Sequence, residues 1–297
     1  MRVLTRTEAH ERAHSIALDE MAVHVDVRGG DAPGASTFQV RSTLNLTAAQ
    51  DSTFLDVAGT VTSLSVNGHV RQFHQDEERL ALEDLPTGTP ITITVDADYS
   101  YSRTGEGLHR YEDPEDARVY CYTQFEPQDA HRAWPCFDQP DMKARWSFTV
   151  DAPTHWIVAS NGQEVSTEAI EDGVRHVFAQ TLPLSSYITA LVAGDWAVVD
   201  GGVWKGGAPG DQEIEVPLRL MCRSALAPSM DSEDILEVTT AGLDFFHEVY
   251  ASNYPWGKYD EVFVPEYNIG AMENPGCVTF NESYLSREHP TFFERQR

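Results

Sequence analysis

The chain has 297 residues, 47 of them acidic and 21 basic, for a formal net charge of −26. So acidic a surface excludes binding modes built on basic patches, and neither nucleic acid nor an anionic membrane is an expected partner. With 41% hydrophobic residues the chain is not a disordered tail, and its length can hold two domains that each bury a core.

In chain order, Thr7 to Leu18 reads as a short helix or arm. From Met21 the pattern has period two: Ala22 to Val27, Thr37 to Leu46, Val61 to Val66, Pro90 to Tyr99, Trp146 to Asp151, Trp156 to Ala159 and Val174 to Ala179. Turn signals stand between these runs, at Gly29-Gly30, Asn67-Gly68, Pro86-Thr87-Gly88 and Asn161-Gly162. Many short strands without helical spacing predict an all-β sandwich or saddle. His176 falls inside one strand and reads as a strand-surface residue. Leu184 to Ala193 is strand-like and ends in Gly194-Asp195-Trp196. The glycine-rich segment Gly201 to Gly210 reads as a junction or hairpin loop.

Beyond it the period changes. Glu213 to Cys222 is a strand, and Asp231 or Ser232 can cap a helix. Glu233 and Asp234 then sit in its first turn, where negative charge suits the helix dipole. Ile235, Val238, Leu243, Phe246, Val249 and Tyr250 share one face, expected to be core. Cys121, Cys136, Cys222 and Cys277 have no paired close spacing, which predicts free thiols in a reducing, cytosolic setting. After Met1-Arg2 no apolar segment resembles a signal peptide, and no stretch is long and apolar enough to span a bilayer. The only lysines are Lys143, Lys205 and Lys258, a bias toward arginine that fits a GC-rich or salt-tolerant source.

One run carries chemistry. Gly270-Ala271-Met272-Glu273-Asn274 sets a carboxylate behind a glycine. A carboxylate is the natural partner of a free α-ammonium, because a charge-assisted bond is short and strong. Gly270 lets backbone approach a substrate closely, and the backbone of Gly270 and Ala271 can pair with an extended peptide as an added strand. The flanks are Tyr254-Pro255-Trp256-Gly257-Lys258-Tyr259-Asp260, the apolar run Val262 to Pro265, and Pro275-Gly276 before strand-like Cys277 to Phe280. This layout resembles the zinc aminopeptidases related to aminopeptidase N, whose exopeptidase signature reads GAMEN. A second run agrees: Thr123-Gln124-Phe125-Glu126, then Ala133-Trp134-Pro135-Cys136-Phe137-Asp138-Gln139-Pro140 and Lys143-Ala144. It is similar to the family's TQFE…FPCFDEP…KA stretch, with Trp134 for Phe and Gln139 for Glu. Asp138 and Arg132 could tie this loop down while Trp134 and Phe137 pack.

The resemblance implies a mainly β N-terminal saddle domain over residues 1–200. Residues 201–297 would begin an α+β thermolysin-like catalytic domain, truncated before its zinc helices. It implies removal of N-terminal amino acids from peptides by a cytosolic bacterial, actinobacterial enzyme. Glu126 and Glu273 would hold the substrate amine, Gln124 and Met272 would line the first side-chain pocket, and Gly270, Ala271 and Asn274 would complete the substrate site. The family's HExxH follows GAMEN by a few tens of residues. Glu248 follows His247, but Ala251 stands where a second His is needed, so His247-Glu248 reads as ordinary helix surface. On this reading the chain lacks HExxH, and Thr291 to Arg297 opens the helix that would carry it. No catalytic residue or metal ligand is assigned within the chain. Zinc belongs to the full-length enzyme, and the partners are peptides with a free N-terminus and the remainder of the peptidase chain. A half-made domain should leave apolar surface exposed. A non-catalytic scaffold of the same fold has no need of an amine carboxylate. Epoxide hydrolase relatives usually carry Gly where Ala271 stands.

Overall fold

The computed structural model describes residues 4–286. Thr5 and Glu8 form a reciprocal capping box, and the helix they start is Arg6–Ser15. It gives way directly to the strand Ile16–Asp26, three residues before the end of the expected helix. The largest sheet has nine strands in the order Glu164–Ile170, Gly173–Phe178, Ala144–Ala152, Ile16–Asp26, Thr37–Ala48, Pro90–Ser100, Thr60–Val66 and His69–Val70, with Pro183–Leu184 beside Ala144–Ala152. Each strand read from period-two alternation lies here or, for Ile157–Ser160, in the sheet beneath. Alternation is legible because the large sheet buries one face only, as the in–out pattern of Thr37–Ala48 shows.

That second sheet has four antiparallel strands in the order Ile157–Ser160, Leu191–Gly194, Val119–Gln124 and Gly107–Glu112. All six residues of Val119–Gln124 are buried. Val119, Cys121 and Phe125 point into the core under the large sheet, with Trp134, Trp146 and Phe148. Tyr120 and Tyr122 point the other way, into a core shared with Met221, Val262 and Met272. The expected strand from Leu184 to Ala193 is broken by a 3-10 turn, Ser186–Ile188.

The chain leaves this middle sheet at Gly194 and enters a third one at Trp196. The third sheet orders Trp196–Gly206, Ile214–Arg223, Tyr259–Val264, Cys277–Asn281 and Ala271–Met272. Its three central strands are parallel, and Ala271–Met272 is its antiparallel edge. Gly201 and Gly202 lie inside the first strand rather than in a loop. The register slips between Asp200 and Val203, and Gly202 has φ +73°, so the pair forms a bulge. Only 207–213 remain as the hairpin turn.

Asp231 caps the helix Ser232–Tyr250 by accepting from the Asp234 amide. Leu243 is buried on the sheet beside Trp204, Val216 and Leu218. Ile235 is half-buried against the core of Leu220 and Phe263, but Val238, Phe246, Val249 and Tyr250 are exposed, and so is Phe245. His247, expected at the surface, is buried instead. Its Nδ1–H donates to the Leu243 carbonyl at 2.6 Å, and Nε2 accepts from the Tyr254 amide at 3.0 Å. This neutral tautomer stitches the end of the helix to the loop that follows.

Glu261, on the central strand under this helix, is buried and has one bond, from the Thr239 hydroxyl at 3.0 Å. Burial pushes its carboxyl up to about 7, against the lowering effect of Thr239. A carboxyl that holds its proton more tightly when folded stabilises the fold most below the ordinary carboxylate range. That contribution is lost as pH climbs to about 7. Glu261→Gln should therefore match the wild type near pH 4.5 and exceed it at pH 8 by on the order of 2–3 kcal/mol in urea unfolding. Equal pH slopes in the two proteins would show that Glu261 ionises freely.

Candidate amine-recognition site

The loop Pro265 to Asn274 is held from both sides. Below it, the Asn281 side-chain amide donates to the Tyr267 carbonyl at 2.8 Å, and the Asn281 backbone amide donates to the Gly270 carbonyl at 2.8 Å. The Tyr267 hydroxyl lies 2.7 Å from Thr279 Oγ1, which also accepts from Asn274 Nδ2 at 3.3 Å. On the other side stands the middle sheet. Tyr267 meets Tyr122 edge-on at 5.5 Å, and Asn268 donates to the Thr104 carbonyl at 2.5 Å. His109 Nδ1 accepts from the Gly105 amide, so Nε2 carries the proton it gives to Glu266 at 3.1 Å.

The turn after this loop is clamped as well. Lys258 Nζ donates to the Gly276 carbonyl at 2.5 Å and to Asp260 at 2.8 Å. Tyr254 Oη accepts from the Gly276 amide at 3.1 Å. Asn161 of the middle sheet donates to the Pro275 carbonyl at 3.0 Å. Gly276 has φ +75°, and a Cβ there would sit 2.3 Å from the Asn161 carbonyl oxygen, so only glycine fits. The Tyr254 to Asp260 stretch thus braces the loop that carries Gly270 to Asn274.

Gln124 ends the strand Val119–Gln124, which the Tyr122–Tyr267 contact sets against this loop, and Glu126 lies in the turn just beyond it. Gln124, Met272 and Asn274 are buried, whereas Glu126, Ala271 and Glu273 are exposed. Both carboxylates bear on one buried phenol. The Tyr267 hydroxyl is pushed up first by burial, opposed by Thr279, and further by the negative charges that include Glu126 and Glu273. Gly270 precedes the two-residue edge strand Ala271–Met272, which pairs on one side with Cys277–Asn281.

Two ionic networks that sequence reading did not assemble support the site. Arg223, at the end of its strand, binds Asp113 of the β domain and both oxygens of Glu282, at 2.6 and 2.9 Å. It lies over the Tyr111 ring. Arg12 donates to Asp56 at 2.7 Å and to Gln139 at 3.1 Å. Asp56 in turn accepts from the Asp138 amide, and Asp138 takes His131 Nδ1 at 2.7 Å and the Ser186 hydroxyl at 2.7 Å. Asp138 therefore ties its loop down as expected, while Arg132 pairs with Asp129 at 2.7 Å and Glu106 at 3.3 Å. An amide at Gln139 serves Arg12 as an acceptor, which explains why Gln is accommodated there.

The expectation that HExxH is missing passed over one match: His10-Glu11-Arg12-Ala13-His14 has that spacing. It sits on the first helix, before the β domain, not after GAMEN. Both rings are exposed, with centroids 4.0 Å apart, and His14 Nδ1 is engaged by the His10 carbonyl at 2.7 Å. Among the described residues no group of three or more His, Cys, Asp or Glu can hold a metal. These residues do not fit a resident zinc. The tail Thr291 to Arg297, read as the start of the zinc helix, lies outside the described residues.

The comparisons with known proteins agree with this layout. The Peptidase M1 N-terminal domain matches residues 9–188, and the Peptidase family M1 domain matches residues 235–296. The chain belongs to peptidase family M1. It is 40% identical over 293 residues to aminopeptidase N of Streptomyces lividans, across 97% of this chain and 33% of that protein. It is 30% identical over 225 residues to aminopeptidase M1-B of Oryza sativa subsp. japonica, across 74% of this chain and 24% of the relative. With aminopeptidase M1 of Arabidopsis thaliana the figures are 32% over 197 residues, 65% and 21%. The chain thus spans about a third or less of the length of these M1 relatives. Its mainly β domain, followed by the first part of the M1 peptidase domain, is the fold class expected from the sequence.

Elemental analysis of the purified chain should find well below one zinc per molecule, unchanged by His14→Ala. A tightly held zinc that His14→Ala removes would make the first helix a metal site.

Proposed function

We propose that this chain is the amine-recognition part of an M1 metallo-aminopeptidase that removes N-terminal residues from peptides. The reading rests on one observation above all: Glu126 and Glu273 are exposed just beyond the ends of the strands Val119–Gln124 and Ala271–Met272, whose Tyr122 and Met272 share one core. In an empty site their charges repel, and a substrate ammonium relieves that repulsion. Gln124 and Met272 line the pocket for the first side chain. The open edge of Ala271–Met272, with Gly270 before it, takes the extended substrate as an added strand. Asn274, held by Thr279, sets the direction of the Glu273 backbone. The zinc and its ligands belong to the remaining part of the enzyme, where the metal would polarise the scissile carbonyl and activate water.

The setting is cytoplasmic. All four cysteines are free and buried. Among the described residues no helix is long and apolar enough to cross a membrane. The proposed domain boundary near residue 200 is supported by the change of sheet between Gly194 and Trp196.

In an enzyme with the zinc part restored, Glu273→Ala should lower kcat/KM toward free-amine anilides by roughly 2–4 kcal/mol. Amine-blocked substrates should lose less, because they never use the contact. Equal losses on both would remove Glu273 from amine recognition. Limited proteolysis should cut first in the exposed stretch 209–213, leaving the β domain whole. Early cuts between Met21 and Ala193 would contradict the boundary.

A further inference from the structure

Six acidic side chains are buried in the described structure: Asp56, Asp113, Asp138, Asp151, Asp260 and Glu261. Five have a basic partner. Asp56 has Arg12 at 2.7 Å, Asp113 has Arg223, Asp138 has His131 at 2.7 Å, Asp151 has Arg175 at 2.7 Å, and Asp260 has Arg219 at 2.7 Å and Lys258 at 2.8 Å. Glu261 has only the Thr239 hydroxyl. Its Oε2 is shielded from solvent and bonds to nothing in the structure. A buried carboxylate without a cation is costly, and proteins ordinarily pair such groups.

Glu261 also lines a cavity of about 610 Å³ between the helix Ser232–Tyr250 and the sheet. Its other walls are mostly apolar, with Val238, Leu243, Phe246, Tyr250, Pro255 and Tyr259 among them. The flank of the helix beside it carries Val238, Phe245, Phe246, Val249 and Tyr250, each more than half exposed. One helix, about 10 Å across, covers roughly two strands spaced about 4.8 Å apart. The sheet has five. Beyond Glu261 the same sheet face continues through its register partner Val278, and Phe280 continues the face beside Phe263. A layered fold needs a second helix over that half.

We propose that this groove seats an amphipathic helix, supplied by the part of the M1 polypeptide that lies outside this chain, whose apolar face carries one lysine or arginine onto Glu261. The apolar walls select the stem and the lone carboxylate selects the charge. A purely apolar helix would leave Oε2 unsatisfied, and a polar one would strand Phe246 and Val249. The raised proton affinity of Glu261 is what a carboxylate waiting for its cation shows. The proposal rests on membership of the family and not on the amine-site reading, so the two fail separately.

The test uses the 297-residue chain and two fluorescent sixteen-residue amphipathic peptides. One carries a single lysine at the centre of its apolar face, and the other carries acetyl-lysine there. At pH 8 the wild-type chain should bind the lysine peptide about tenfold more tightly by anisotropy. Glu261→Gln should bind both alike, at the weaker affinity. Equal affinities in the wild type, a preference that survives Glu261→Gln, or no binding of either peptide would each overturn the proposal. So would a dimer in sedimentation that Phe246→Asp abolishes, because a second copy would then be the occupant.

Discussion

Everything that brings the candidate site together depends on the middle sheet being buried on both faces. Val119 and Cys121 belong to the core beneath the nine-stranded sheet, and Tyr120 and Tyr122 belong to the core shared with the peptidase part. One strand therefore serves two cores. Displacing either part would expose large aromatic side chains, each worth a few kcal/mol of burial. Because both cores hold that strand, its Tyr122 is kept against Tyr267 on the loop that leads to Glu273. Arg223 reinforces the same join by binding Asp113 on one side and Glu282 on the other. Removing one member of such a buried group typically costs about 3–5 kcal/mol, since it leaves charge unpaired.

Charge is distributed to match. The chain has few basic residues, and several are used inside: Arg12, Arg110, Arg223 and Lys258 are all buried. Arg110 pairs with half-buried Glu112 at 3.2 Å and also donates to the carbonyls of Gly30 and Ala32. These four buried cations are outnumbered by the six buried acids, so the chain's excess of negative charge stays mostly on the surface. Glu126 and Glu273 are both exposed in that surface.

The peptidase part is unevenly finished. The loop around Gly270 to Asn274 is fully braced by Asn281, Thr279, Lys258 and Tyr254, and its geometry does not wait on further chain. The outer flank of Ser232–Tyr250 is bare. The recognition surface and the unfinished surface thus lie on different elements of the same sheet.

Period-two alternation located the long central strands of the large sheet but not Glu164–Ile170 or His69–Val70, and the caps and turn glycines located many element ends, because those signals are local and one face of each strand meets water. The motifs named the family for the same reason: a short run of residue types carries the chemistry wherever it is folded. The strands Gly107–Glu112 and Val119–Gln124 left no such trace, since a strand buried on both faces has no alternation. Gly201-Gly202 looks like a loop in sequence and is a bulge, because only the partner strand shows that pairing resumes at Val203. The spacing of Ile235 to Tyr250 shows that an apolar face exists but not what covers it. His247 and Ala251 fail as a metal motif, yet nothing local reveals that His247 is a buried staple. His10 and His14 have the metal spacing, yet only their exposed setting and the lack of a third ligand set them aside. Periodicity, caps and chemical motifs are properties of neighbouring residues and were decided by the sequence alone. Burial, ion pairing across 44 residues between Arg12 and Asp56, and the shared core of Tyr122 and Met272 depend on distant segments packing together, and only the tertiary structure decided them.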